Sequence, residues 1–556
     1  MQRTGVPRIL LWIVSAAVAT LMLIAYGAAQ TQPAREAHER GAPLFNDLGN
    51  HQYAISTKSP QAQQYFNQGL ILTYGFNHGE AIRSFQEAIR LDPNCAMCYW
   101  GVALALGPNI NKPMDAADVP RAWDALQQAR RSAANATEKE KAFITALETR
   151  YVQQPVADRR SLDLAYANAM RELRKNYPDD LDAATLFAEA LMDTMPWDYY
   201  TEDRRPKAVT EELIRTLEFV IAKDPHHPGA NHYYIHAVEA SPYPERALPS
   251  AERLGKIAPG AGHLVHMPSH IYLRVGRYHD ATLANEEAVK ADQSYIAQCR
   301  AQGFYPVAYY PHNQHFLWYT AGMEGRSELA IRAARDIDRM NDHQNLAEGK
   351  RFSPLLILTL ARFGKWDEVL AQPTPPADQI FATAMTHYAR GMAHAAKRNL
   401  NAGQQELTAL EQIVADPKTK ALGQPSFPFP AEQVVVLSRH ALAGELAARR
   451  GHAAAATKHF TTAIQLEDKL PYMEPPYWHH PVRQIYGAAL LQAGDAAKAE
   501  ETYREDLKRH PENGWSLYGL LATLRAQGKV QEANAVEKRF RDAWPLADIT
   551  LTASRL

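Results

Sequence analysis

Cysteine is scarce in this chain: only Cys95, Cys98 and Cys299 occur among 556 residues. Tyr99 follows the close pair, which excludes the C-x-x-C-H attachment signature of c-type haem. Charge of one sign is also missing. Lys and Arg total 60 against 61 Asp and Glu, a net charge of −1, with no long run of Lys or Arg. Nucleic acid is therefore excluded as a main partner, because such binding is driven by clustered cations that neutralise phosphates. The phosphate loop, the dinucleotide fingerprint, H-E-x-x-H and the G-x-S-x-G nucleophile elbow are all absent. Nothing in the sequence names a reaction, and whether the protein is an enzyme stays open. Any catalysis has to be metal-assisted or use histidine as acid and base.

The hydrophobic fraction of 46% is that of a globular protein. The length suits several ordinary domains or one extended repeat array. At the N-terminus, Arg3 and Arg8 precede an apolar stretch from Ile9 to Tyr26, and Gly27, Ala28 and Ala29 follow as small residues. Residues 1–29 read as an export signal, either a cleaved signal peptide or an uncleaved anchor. Both place the remainder in the periplasm or another extracytoplasmic, oxidising space, with residues 9–26 as the only expected membrane contact. In that setting Cys95 and Cys98 form a disulfide, a thiol redox pair or two soft metal ligands. No strand–helix thioredoxin context surrounds them, which favours a local disulfide or buried thiols.

After a polar linker over residues 30–60, one pattern runs almost to the C-terminus. Its first unit sets Tyr65, Gly69, Leu72, Ala81, Phe85, Ala88 and Pro93 at the spacings W-x2-L-G-x2-Y, A-x3-F, P. Gly69 and Ala81 are small enough for two antiparallel helices to approach closely, and Pro93 stops the second helix for want of an N–H. The chain here resembles the tetratricopeptide-repeat (TPR) family, and the match covers most of residues 62–543. The expected fold is all-α, a TPR-type solenoid of antiparallel helix pairs. It divides into repeats over 62–345, divergent helical repeats over 346–436, C-terminal repeats over 437–543 and a tail over 544–556.

Carried forward in steps of about 34 residues, the register starts units near Pro228, Gly262, Pro311, Leu437, His480 and Gly514. Gly451, Gly494 and Gly528 fall at inter-helix turns. Pro- and aromatic-rich insertions interrupt the period at Pro196–Pro206, Tyr295–Pro311, Gln424–Pro430 and Pro471–Pro481. Such insertions map to loops that either cover a groove or anchor themselves by their aromatics. Trp478, His479, His480 and Arg483 read as part of a surface loop entering a helix.

Histidine is what this chain concentrates. Ten of 22 lie between His226 and His315. His232/His236 and His266/His270 are i,i+4 pairs, and His263/His266 and His312/His315 are i,i+3 pairs, all neighbours on a helix surface. An i,i+4 pair is the spacing by which H-E-x-x-H sets two imidazoles on one zinc. The TPR resemblance implies that these residues sit at groove-facing positions 2, 5 and 9 of three repeats. Pro268 is expected to break the helix between His266 and His270.

The sequence thus points to one shared metal site drawn from His232, His236, His263, His266, His270, His312 and His315. Glu239 is its carboxylate, with Glu189 as another candidate. Zinc and copper suit imidazole-rich sites, and iron is the third candidate. The competing reading is an adaptor whose groove binds a partner protein or peptide, without metal or catalysis.

Overall fold

The computed structural model describes residues 41–556 except 202, 300–303, 345–353 and 423–428. The expected signal or anchor at 1–29 lies outside the described residues. No helix among the described residues is long and apolar enough to cross a membrane. The chain is all-helical there, with isolated bridges and no strand.

The described residues of Leu23–Tyr272 and Leu283–Asn313 form one compact unit, and those of Leu273–Thr282 and Gln314–Leu556 form another. The first carries α1 (Pro60–Tyr74), α2 (His78–Leu91), α3 (Ala96–Leu106), α4 (Asp118–Ser132), α5 (Glu138–Glu148), α6 (Arg160–Asn176), α7 (Leu181–Asp193), α8 (Ala208–Lys223), α9 (Pro228–Val238), α10 (Leu248–Ile257) and α11 (Gly262–His266). Next come α12 (Pro268–Arg274), α13 (Tyr278–Cys299) and α14 (Tyr310–Met323). Helices begin at Pro228, Gly262 and Gly514, where the repeat register starts units.

The first pair shows why these residues fold this way. Ser59 caps α1 by accepting the Ala62 N–H, and Pro60 occupies the first turn, where no N–H is needed. The Phe85 ring of α2 lies so close to α1 that a Cβ at Gly69 would meet it at 2.6 Å. A Cβ at Gly101 of α3 would meet the same ring, also at 2.6 Å. One aromatic therefore sets the spacing of three helices, and glycine alone fits beside it.

Several inter-helix turns share one conformation. Gly276, Gly325, Gly364, Gly451, Gly494 and Gly528 each lie two residues past a helix end with φ between 66° and 86°. Glycine takes this left-handed region without a Cβ penalty. In the turn after α1 the same position is Phe76, with φ 55°. Its N–H bonds Thr73 O at 3.0 Å, and Asn77 N–H bonds Leu72 O at 2.9 Å, the paired bonds of a Schellman C-terminus. Arg398, with φ 58°, is a second non-glycine at this position.

Cys95 caps α3 and is joined to Cys98 by a buried disulfide, while Cys299 is a buried free thiol. The second unit packs around Phe460, Tyr503, Leu517 and Leu520. Within it Trp478, His479, His480 and Arg483 are buried, so the expected surface loop is a packed one. Tyr388 meets Trp478 edge-on, and Phe429 meets Tyr477, so these aromatics anchor their segment. Most of the Gln424–Pro430 insertion lies outside the described residues.

Candidate metal centre

Six of the seven expected imidazoles meet in the first unit, and they form two triads rather than one shared site. His232, His236 and His263 each offer a nitrogen within 4.8 Å of the others, and so do His266, His270 and His312. In the first triad α9 supplies an i,i+4 pair and α11 the third ring. The second takes its pair from α11 and α12 and its third ring from α14. The Pro268 break does not separate His266 from His270: their Nε2 atoms stand 3.0 Å apart.

Fixed partners orient the rings. The last carbonyls of an α-helix lack intrahelical partners, and Tyr74 O at the end of α1 accepts from His232 Nδ1 at 2.5 Å. His236 Nδ1 donates to Glu239 Oε1 at 3.2 Å, and His270 Nδ1 stands 2.6 Å from Glu239 Oε2. His266 Nδ1 donates to Asn285 Oδ1 at 2.7 Å. In metal sites, a bond from one ring nitrogen to such an acceptor fixes the tautomer that turns the other nitrogen to the ion. His232 Nε2, His236 Nε2 and both nitrogens of His263 are buried with no hydrogen-bond partner. Each such atom costs about 1–3 kcal/mol.

Burial pushes His232, His263 and His266 well below the ordinary imidazole range, and neighbouring imidazoles push further in the same direction. His236 is lowered by burial against the opposing pull of Glu239. Burial also drives Glu239 upward, but the imidazoles of His270 and His236 outweigh it and hold the carboxyl below its ordinary value. In all four rings the net direction favours the neutral form, in which imidazole binds metal.

Aromatics enclose the first triad. Phe76 packs on His232, His236 and His263 with ring centroids 4.6, 6.1 and 5.7 Å away. Trp197, from the Pro196–Pro206 insertion, meets His236 edge-on at 5.2 Å and is 47% exposed. It too has a left-handed backbone, with φ 60°. The second insertion forms a π-turn over Tyr305–Tyr309, and Tyr309 lies 4.7 Å from His263. Tyr305 Oη accepts from the His263 N–H at 3.0 Å and donates to Asp292 Oδ1 at 2.8 Å. Asn313 donates to Asp292 Oδ2 at 2.7 Å, and burial pushes that carboxyl up to about 7 despite these two donors. Residues of both insertions thus reach the centre, but the second is helical where described rather than the expected loop, since Tyr295–Cys299 belongs to α13 and Tyr305–Tyr309 is a π-helix.

Two expected ligands lie elsewhere. His315 falls in the second unit and stacks on Trp318 with an interplanar angle of 8°, so it joins neither triad. Glu189 faces the buried guanidinium of Arg150 at 3.6 Å, and that cation also pairs with Asp193. Its charge is committed to arginine rather than to imidazole.

A third polar group, His51, Asp182 and His227, was not foreseen. Ala230 N–H donates to His227 Nδ1 at 3.2 Å, so a neutral His227 carries its proton on Nε2, facing Asp182 at 3.4 Å. Tyr74 Oη donates to the same Asp182 oxygen at 2.6 Å. A proton therefore stands where a metal would need a lone pair. The group borders an open cavity of about 1010 Å³ whose wall includes Tyr53, Lys139, Tyr177, Asp180, His226 and Lys256.

No family model matches the chain, and no curated protein matches it. Among solved structures, Ypp1 is similar at a TM-score of 0.42, with 10% identity over 96% of this chain and 88% of that one. Yeast Tom70 gives 0.27, with 11% identity over 87% of this chain and 92% of that one. The human IFIT1 dimer with m7Gppp-AAAA gives 0.29, with 10% identity over 93% and 100%. At this level the likeness transfers no function.

Proposed function

We propose that this helical-repeat protein binds a transition-metal ion through His232, His236 and His263. One observation carries the reading: three buried imidazoles each bring a nitrogen within 4.8 Å of the others, and the Nε2 atoms of His232 and His236 have no hydrogen-bond partner. Three histidines with a fourth position open is the donor set of catalytic zinc sites, and copper suits the same ligands. Glu239 and the Tyr74 carbonyl act as orienting acceptors. This reading sets the chemistry outside the cytoplasm, as expected if residues 1–29 act as an export signal. Elemental analysis of tag-free protein tests the reading: stoichiometric zinc or copper, lost in a His232→Ala/His263→Ala double variant, supports it. Wild-type protein that holds no ion against a weak chelator refutes it.

A second reading, a scaffold that holds a partner peptide, is favoured by the open cavity bordered by His51, Lys139, Asp182 and Lys256. Its mixed charges suit a polar peptide, and a helical-repeat build is common among adaptors. Metal-stripped protein whose partner binding is abolished by Lys256→Glu supports this reading over the first.

A further inference from the structure

We infer that the centre holds two ions, the second a copper- or zinc-type ion on His266, His270 and His312. This rests on the metal reading above and extends it.

Repetition carries the argument. Each triad combines an i,i+4 pair from one repeat with the first histidine of the next: His232/His236 with His263, then His266/His270 with His312. The ring spacings repeat as well. Centroids are 4.9, 5.0 and 6.2 Å apart in the first triad. In the second they are 4.9, 4.8 and 5.9 Å apart. Imidazoles bound at about 2.0–2.1 Å to one tetrahedral ion have nitrogens about 3.3 Å apart and ring centres about 5 Å apart.

Polarity points the same way. His266 Nδ1 faces the Asn285 amide oxygen, and His270 Nδ1 faces the Glu239 carboxylate. The Nε2 atoms of the two rings stand 3.0 Å apart, a separation that two imidazoles on one ion also have. Glu239 ties the two triads together, one oxygen on His236 and the other on His270. Rings of different triads are near neighbours, His236 and His270 at 5.6 Å and His263 and His266 at 5.7 Å. Two ions so placed are close enough to couple and to share one small exogenous ligand.

The test loads full-length, tag-free protein with copper(II), removes surface-bound ions by gel filtration in glycine buffer, and counts copper by mass spectrometry. Two ions per chain are expected, falling to one in His270→Gln/His312→Gln and to one in His232→Gln/His263→Gln. Electron paramagnetic resonance of the wild type should show a half-field transition and fewer spins than copper atoms. That signal decides the matter even if a variant fails to fold. One ion per wild-type chain overturns the two-ion inference and leaves the single site standing. Two ions with no half-field signal, or both retained in His270→Gln/His312→Gln, overturn it too. No retained copper overturns both readings.

Discussion

Replacing Phe76 separates what its backbone costs from what its ring contributes. The residue is 3% exposed, has φ 55° and covers three imidazoles. Left-handed backbone costs a side chain with a Cβ about 1–2 kcal/mol, and deleting a buried phenyl ring costs about 3–5 kcal/mol. Phe76→Ala loses the ring and keeps the strain, so it should be destabilised by about 3–5 kcal/mol. Phe76→Gly loses the ring and sheds the strain, so it should be more stable than the alanine variant by about 1–2 kcal/mol. Ordinary backbone gives the opposite order, alanine leading by about 0.5–1 kcal/mol. Arg398 is the control, because it has φ 58° on an exposed side chain. Arg398→Gly should raise stability by about 1 kcal/mol. Urea unfolding followed by far-ultraviolet circular dichroism measures all three. If Phe76→Ala equals or exceeds Phe76→Gly, the strain argument is wrong.

Other expectations bear on the site and its scaffold. Glu239→Gln removes the charge that anchors His236 and His270, and should weaken metal binding about 10–100-fold in a chelator competition. His479 is buried beside Arg362, and burial, helped by that cation, pushes it down to about 3. Because the unfolded chain takes up this proton near pH 6.5, stability is present above that pH and falls as the solution is acidified. At pH 5 the loss from this group is about 2 kcal/mol. His479→Gln should flatten the stability-versus-pH curve between pH 6.5 and pH 5 by that amount, and an unchanged slope would rule the cause out. Gly69→Ala drives a methyl into the Phe85 ring and should cost about 1–3 kcal/mol in urea melts, despite alanine's better helix propensity. A neutral or stabilising effect there would mean that α1 and α2 are not so close.

Much of the scaffold was legible because periodicity and turn glycines are local signals. Gly451, Gly494 and Gly528 fall at turns as the register expects, and Pro228 and Gly262 start helices. The i,i+4 histidine pairs were legible for the same reason. The division into two triads was not, since it depends on which neighbouring helix supplies the third ring. His315 misled because three residues along a helix leave about 60° between side chains, and this ring turns to Trp318 instead. Glu189 misled because nothing local reveals the distant Arg150 that claims it. Phe76 and Trp197 were missed, although one signal existed: the first repeat lacks the glycine that other turns carry. An aromatic in that place marks a turn whose side chain is needed.

The Tyr305 hydroxyl, bonded to both the His263 backbone and Asp292, has a consequence for the order of assembly. The first triad is complete in the chain once His263 has been made, but its tyrosine cover belongs to a segment synthesised later. His312 comes later still. Phe76 and Trp197 precede the three imidazoles in the chain, whereas the tyrosine side of their cover is complete only when Asp292 and Asn313 have joined it. The tyrosine cover over His263 is thus set by residues that follow it in the chain, and the ring's surroundings are completed last.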